Sequence, residues 1–167
     1  MMGAKTPVME RGKVDQIVAG ETPLDFAAQF ATVPWRIGRR GTLEILLVTS
    51  RTSRHWLLPK GWLVRGKSAM ESAEIEAFEE AGVQGKMRNK PIGAFAYNKI
   101  LKTGEALPCR VTVFSLKVKK LLDDWPEAGQ RERAWFDIAV AADAVYEPQL
   151  RDFLLGLSRS EPIALLR

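Results

Sequence analysis

Three carboxylates, Glu76, Glu79 and Glu80, fall in the run EIEAFEEAG and supply the chain's most concentrated acidic chemistry. Ser68 followed by Glu71 forms a capping box, and Gly82 suits a left-handed stop, so the spacing predicts a helix over residues 69–81. At about 100° per residue, Met70, Ala73, Ala77 and Ala81 make an apolar stripe, and the three glutamates share the adjacent arc. Carboxylates packed that closely repel one another. A hard divalent cation relieves the repulsion, since Mg²⁺ and Mn²⁺ prefer carboxylate and carbonyl oxygens. The same string in isolation reads as an acidic solvent-facing surface; what separates the two readings is the glycine turn LPKGW ahead of the helix.

From that turn onward the chain resembles the Nudix box, matching it in register at Gly61, Glu76, Ala77, Glu79, Glu80, Gly82 and Val83. Two positions depart: Lys67 stands where the family has Glu, and Ile75 where it has Arg. The resemblance implies a metal site of Glu76, Glu80 and the carbonyl of Gly61, with Glu79 a further ligand or a helper in deprotonating water; which glutamate is the base stays open. It also implies that the missing arginine deprives Glu76 of an orienting donor, although losing both members of the pair strands neither charge. Softer matches at LLVTSR, LPKGW, EEAGVQG, WPE and RERAWF resemble the branch containing diphosphoinositol polyphosphate and diadenosine polyphosphate phosphohydrolases. The implied activity is Mg²⁺- or Mn²⁺-dependent hydrolysis of a phosphoanhydride bond in such a substrate. Two alternatives stand beside it: a nucleotide-binding protein with weak or no hydrolysis, and removal of pyrophosphate from RNA 5′ ends.

A diphosphate must also be gripped by cations. Arg51, ending the LLVTSR segment, is the first candidate because guanidinium meets phosphate in bidentate fashion; Lys60, Arg133 and Arg36 complete the expected substrate-binding set. His55, the sole histidine, and Trp56, Trp62 and Trp135 read as packed or rim residues.

Those residues need a scaffold. With 167 residues, 46% of them hydrophobic, the chain can bury a sizeable core as one domain. Residues 1–30 lack a sustained period and read as a loosely ordered N-terminal arm with a short helix at 24–30, where function is not expected; the Nudix domain is expected over 31–167. Strands are expected at 31–37, 43–49, 86–90, 92–101, 107–119 and 131–138, and helices at 140–145 and after Pro148. Strands surrounding one central helix with a terminal helix opposite give an α/β/α sandwich with a mixed β-sheet. The net charge of +5 suits an anionic partner, for which a phosphorylated small molecule and RNA both qualify, the small molecule being the expected one on the strength of the resemblance. The single cysteine, Cys109, alternates with valines and reads as core. No apolar run reaches membrane-spanning length and no signal-peptide core is present, so the expected compartment is the cytoplasm, with no membrane partner.

Overall fold

The computed structural model describes residues 5–6, 8–11 and 25–167. Its strands are β1 (Lys5–Thr6), β2 (Val8–Arg11), β3 (Asp25–Ile37), β4 (Leu43–Thr49), β5 (Trp56–Leu57), β6 (Lys60–Val64), β7 (Val83–Met87), β8 (Gly93–Ile100), β9 (Ala106–Leu121) and β10 (Arg133–Asp137). The helices are α1 (Ala69–Ala81), α2 (Ile138–Ala144), α3 (Pro148–Arg159) and α4 (Pro162–Leu166).

The long strand β3 organises the sheet. It runs parallel to β9 from Ala27 to Trp35 and antiparallel to its other neighbours, which makes the sheet mixed. Its residues 29–31 pair with β6, whereas 35–37 pair with β4. Between those stretches the strands splay, and the Thr32 N–H donates to the Pro59 carbonyl at 3.2 Å. The splay delivers the chain from β5 through Pro59 to Gly61, the turn that faces the acidic helix.

Both faces of the sheet are covered. Ala77 and Ala81 of α1 pack on Leu46, Val48, Val83 and Leu116, and Ala73 packs on Ala28, Phe30 and Phe114. On the opposite face Ile45, Leu47, Val111 and Val113 meet Ile138 and Ala142 of α2 and Leu150 and Leu154 of α3. Consecutive residues of β4 therefore serve opposite cores, which is why its apolar run is unbroken. On β9, Cys109, Val111, Val113 and Ser115 share one buried face as expected.

The N-terminal reading needs correcting. Residues 25–30 are not helical; they form the first half of β3, because the buried pairs with β6 and β9 override local propensity. Residues 5–6 pair with β6 and 8–11 with β3, so parts of the expected arm belong to the sheet. Among the described residues no helix is long and apolar enough to cross a membrane.

Candidate active site

The acidic helix is fixed at both ends. At its start the Ser68 hydroxyl accepts from the Glu71 N–H at 3.1 Å, and the Glu71 carboxylate accepts from the Ser68 N–H at 2.7 Å. At its end Gly82 sits in the left-handed region at φ 63°. Nearby groups then saturate the last carbonyls: Arg133 Nη1 donates to Ala81 O at 2.8 Å, Trp125 Nε1 to Glu80 O at 3.1 Å, and Glu127 N–H to Glu79 O at 3.1 Å. Arg133 also stacks on Trp125 at 3.8 Å and donates to Leu122 O. A cation there complements the negative end of the helix dipole.

Glu76, Glu79 and Glu80 are 2%, 5% and 6% exposed, so the arc read as flanking the buried face is itself buried. Gly61 explains how Glu76 fits. A Cβ at that position would lie 2.3 Å from the Glu76 carboxyl carbon and 2.4 Å from Oε1, so only glycine lets the carboxylate come so close to β6.

Two cations of the chain divide the carboxylates between them. Lys5 Nζ lies 2.5 Å from Glu76 Oε1 and 2.5 Å from Glu79 Oε2. Glu80 turns the other way: its Oε1 is 3.3 Å from Arg131 Nη2, and its Oε2 accepts from the Lys60 N–H at 3.3 Å. Burial pushes the Glu80 carboxyl up to about 8; Arg131 and Lys60 oppose that rise and Glu76 adds to it. Burial also raises Glu76, while Lys5 pulls it back. Burial alone would lower Lys5, but its two carboxylate partners raise it.

The chemistry of this set fits a hard divalent cation. Glu79 Oε1 is buried without a hydrogen-bond partner, and Glu76 Oε1 has no hydrogen bond beyond its ion contact with Lys5. An ammonium touching two carboxylates stands where their joint charge draws a cation. With Glu80 directed to Arg131, no group of three acidic, histidine or cysteine ligands among the described residues converges to hold a metal in this conformation.

The expected substrate-binding residues separate into two groups. Lys60 lies close to the site, its ammonium 4.7 Å from the centre of the Tyr97 ring and its pKa lowered by burial. Tyr97 donates to Gln29 Oε1 at 2.6 Å beside it. Arg51 is largely exposed and 3.7 Å from Glu127, which in turn lies 3.6 Å from Arg131. The other two are committed elsewhere: Arg36 donates to Glu44 at 2.6 Å and covers the Trp135 ring, and Arg133 caps α1. Lys67 and Ile75, the two departures from the box, line one cavity of about 280 Å³ with Glu71, Glu74 and Phe78. His55 stacks on Tyr146 at 3.9 Å.

Lys5 and Arg131 were not singled out from sequence. Lys5 lies far from the helix along the chain with no motif around it; Arg131 opens the RERAWF segment, where Arg133 drew the attention.

Comparison with known proteins agrees with this architecture. Bovine diphosphoinositol polyphosphate phosphohydrolase 3-beta is 35% identical over 119 residues, covering 68% of each chain. The chain belongs to the Nudix hydrolase family. Nudix hydrolase 12, mitochondrial, of Arabidopsis thaliana is 38% identical over 104 residues, covering 60% of this chain and 51% of that protein. The chain thus spans about half the length of the first plant relatives it matches. No family model matches the chain. Among solved structures, a C. elegans Ap4A hydrolase binary complex aligns with TM-score 0.61 at 19% identity, over 79% of this chain and 95% of that one. The NUDIX domain of Shewanella oneidensis NrtR complexed with ADP ribose aligns with TM-score 0.59 at 14% identity, over 79% and 85%. At such identities these structures establish the shared Nudix fold.

Proposed function

We propose that this Nudix chain is a Mg²⁺- or Mn²⁺-dependent hydrolase that cleaves a phosphoanhydride bond in a dinucleoside polyphosphate or a diphosphoinositol polyphosphate. The observation that carries the reading is the burial of Glu76, Glu79 and Glu80 on one helix, with Glu76 lying against the backbone at Gly61. The names of the bovine relative and of the C. elegans structure support the two substrate classes. Glu76, Glu79 and Glu80, with the Gly61 carbonyl, would hold the ion. A bound ion neutralises diphosphate charge and aids attack by water at phosphorus.

The chain's own residues supply the rest. Lys60 and Arg51 present cations to phosphate. Burial of the glutamates keeps bulk water from screening them. Burial raises the Glu80 carboxyl to about 8 in the metal-free protein, and a bound dication would lower it. Arg36 and Arg133, also expected at the substrate, donate here to Glu44 and to the Ala81 carbonyl. The cytoplasm remains our proposed compartment, to be tested by cell fractionation, since the plant relative's name includes "mitochondrial".

Incubating the purified protein with diadenosine and diphosphoinositol polyphosphates plus Mn²⁺ should release nucleotide or phosphate, and Glu80→Gln should suppress it. Absence of turnover across that panel would sink the proposal. A second reading, binding without hydrolysis, draws support from the neutralisation of the carboxylates by Lys5 and Arg131. Calorimetry with non-hydrolysable analogues separates the two, because binding with no turnover supports only the second.

A further inference from the structure

The acidic helix carries five glutamates and no basic residue, so any cation that orients its carboxylates must come from another element. Arg131 is one such cation. Its side chain is 8% exposed and lies in the segment leading into β10. Nη1 donates to the Thr49 carbonyl at 3.0 Å, which pins the guanidinium to the end of β4. Nη2 faces two carboxylates, Glu80 at 3.3 Å and Glu127 at 3.6 Å. Nε is buried with no hydrogen-bond partner.

The contrast with Arg133, on the following strand, shows what kind of residue Arg131 is. Arg133 spends its donors on the carbonyls of Ala81, Gly82 and Leu122 and its face on Trp125, as a structural clamp does. Arg131 leaves a buried donor unused and directs a charged edge at a carboxylate of the site. A buried guanidinium must be paired and a buried N–H left without a partner costs stability, so the fork is aimed at Glu80 and Glu127 at the expense of Nε.

We infer that Arg131 is the positioning residue for Glu80, fixing its side chain from the β4–β10 side while the Lys60 N–H holds the second oxygen. This inference rests on the hydrolase reading. The effect runs from the β4 end through Arg131 Nη1 and Nη2 to Glu80. Glu127 competes for the same guanidinium and links it to the exposed Arg51 at 3.7 Å. Arg131 thus acts through Glu80, its observed partners being Glu80, Glu127 and the Thr49 carbonyl.

The test compares wild type, Arg131→Ala, Arg131→Lys and Glu80→Gln, each verified as folded by circular dichroism. Two readouts are taken: Mn²⁺ affinity by electron paramagnetic resonance, and kcat and KM with diadenosine tetraphosphate. Arg131→Ala should lower kcat by about 10- to 100-fold with KM nearly unchanged, and should weaken Mn²⁺ binding. Arg131→Lys should fall between, and added guanidinium at non-denaturing concentration should restore part of the Arg131→Ala rate. Unchanged kcat and Mn²⁺ affinity in Arg131→Ala would overturn the inference alone, as would a rise in KM at constant kcat, which marks a substrate contact. Absence of Mn²⁺ binding and turnover in wild type would overturn the hydrolase reading together with the inference.

Discussion

Lys5 and Arg131 each bring a positive charge to the carboxylates of α1, from opposite ends of the cluster and in different physical settings. Lys5 stands on a two-residue strand paired with β6, its side chain 31% exposed at the end of a flexible stem. Arg131 is tied to the end of β4, is 8% exposed, and presents a planar fork. An ammonium on a four-carbon stem is a mobile point charge, whereas a guanidinium held at one nitrogen keeps its geometry. The Glu76–Glu79 end therefore has an exchangeable counter-ion and the Glu80 end a fixed one. On the proposed reading, a divalent ion would meet a cation it can displace on one side and a braced carboxyl on the other.

The comparison breaks most completely if either end proves dispensable. Glu76→Gln and Glu80→Gln should each reduce metal-dependent hydrolysis by at least about 100-fold, since even outer-shell partners of a metal cost 10- to 100-fold when lost. Steady-state rates at saturating Mn²⁺ decide it; activity surviving Glu80→Gln would leave the fixed end without a role in the reaction. Gly61→Ala acts on the exchangeable end alone. The new methyl would lie 2.3 Å from the Glu76 carboxyl carbon, and because that group is the tip of a flexible side chain, the carboxylate moves and the fold survives. The expected outcome is a normal melting curve with a loss of roughly 10- to 100-fold in kcat, the scale of an ångström-sized misplacement. Loss of folding instead would show that Glu76 cannot yield.

These two ends also differ in how far the sequence revealed them. The helix over 69–81, its capping box and its left-handed glycine are local features set by neighbours along the chain, and the structure has them where expected. Gly61 and the three glutamates were legible because one strand, turn and helix contain them all. The counter-ions were not, because both depend on long-range pairing. Lys5 reaches the site only because β1 adds to β6, and β6 is available only because β3 splays from β4. A segment lacking a hydrophobic period gives no sign of such pairing, which is why residues 25–30 read as helix although they form part of β3. In RERAWF, Arg131 and Arg133 are two residues apart and share a face of the expected strand, so the pattern does not tell which meets the helix carbonyls and which meets a carboxylate.

Removing the exchangeable charge sharpens the contrast from the other side. Lys5→Ala should tighten Mn²⁺ binding by about 5-fold, the equivalent of about 1 kcal/mol for a partly exposed ion pair released from competition. Isothermal titration of wild type and variant reads it directly. Weaker binding in Lys5→Ala would mean that the ammonium assists the ion and that the two counter-ions act alike.

The smallest effect concerns protons at the fixed end. Glu80 has its pKa raised from 4.5 to about 8 in the folded, metal-free protein, chiefly by burial. Between those values the folded state binds the proton and the unfolded state does not, so the slope of stability with pH is negative there. The contribution of Glu80 is thus fully present below about 4.5, falls as pH rises, and is lost above about 8. Chemical denaturation of the metal-free protein across pH 5 to 8.5 should show this decline superimposed on that of other groups, and Glu80→Gln should flatten it. An identical slope in the variant would mean that Arg131 keeps Glu80 ionised throughout, with Coulomb attraction outweighing desolvation at the fixed end.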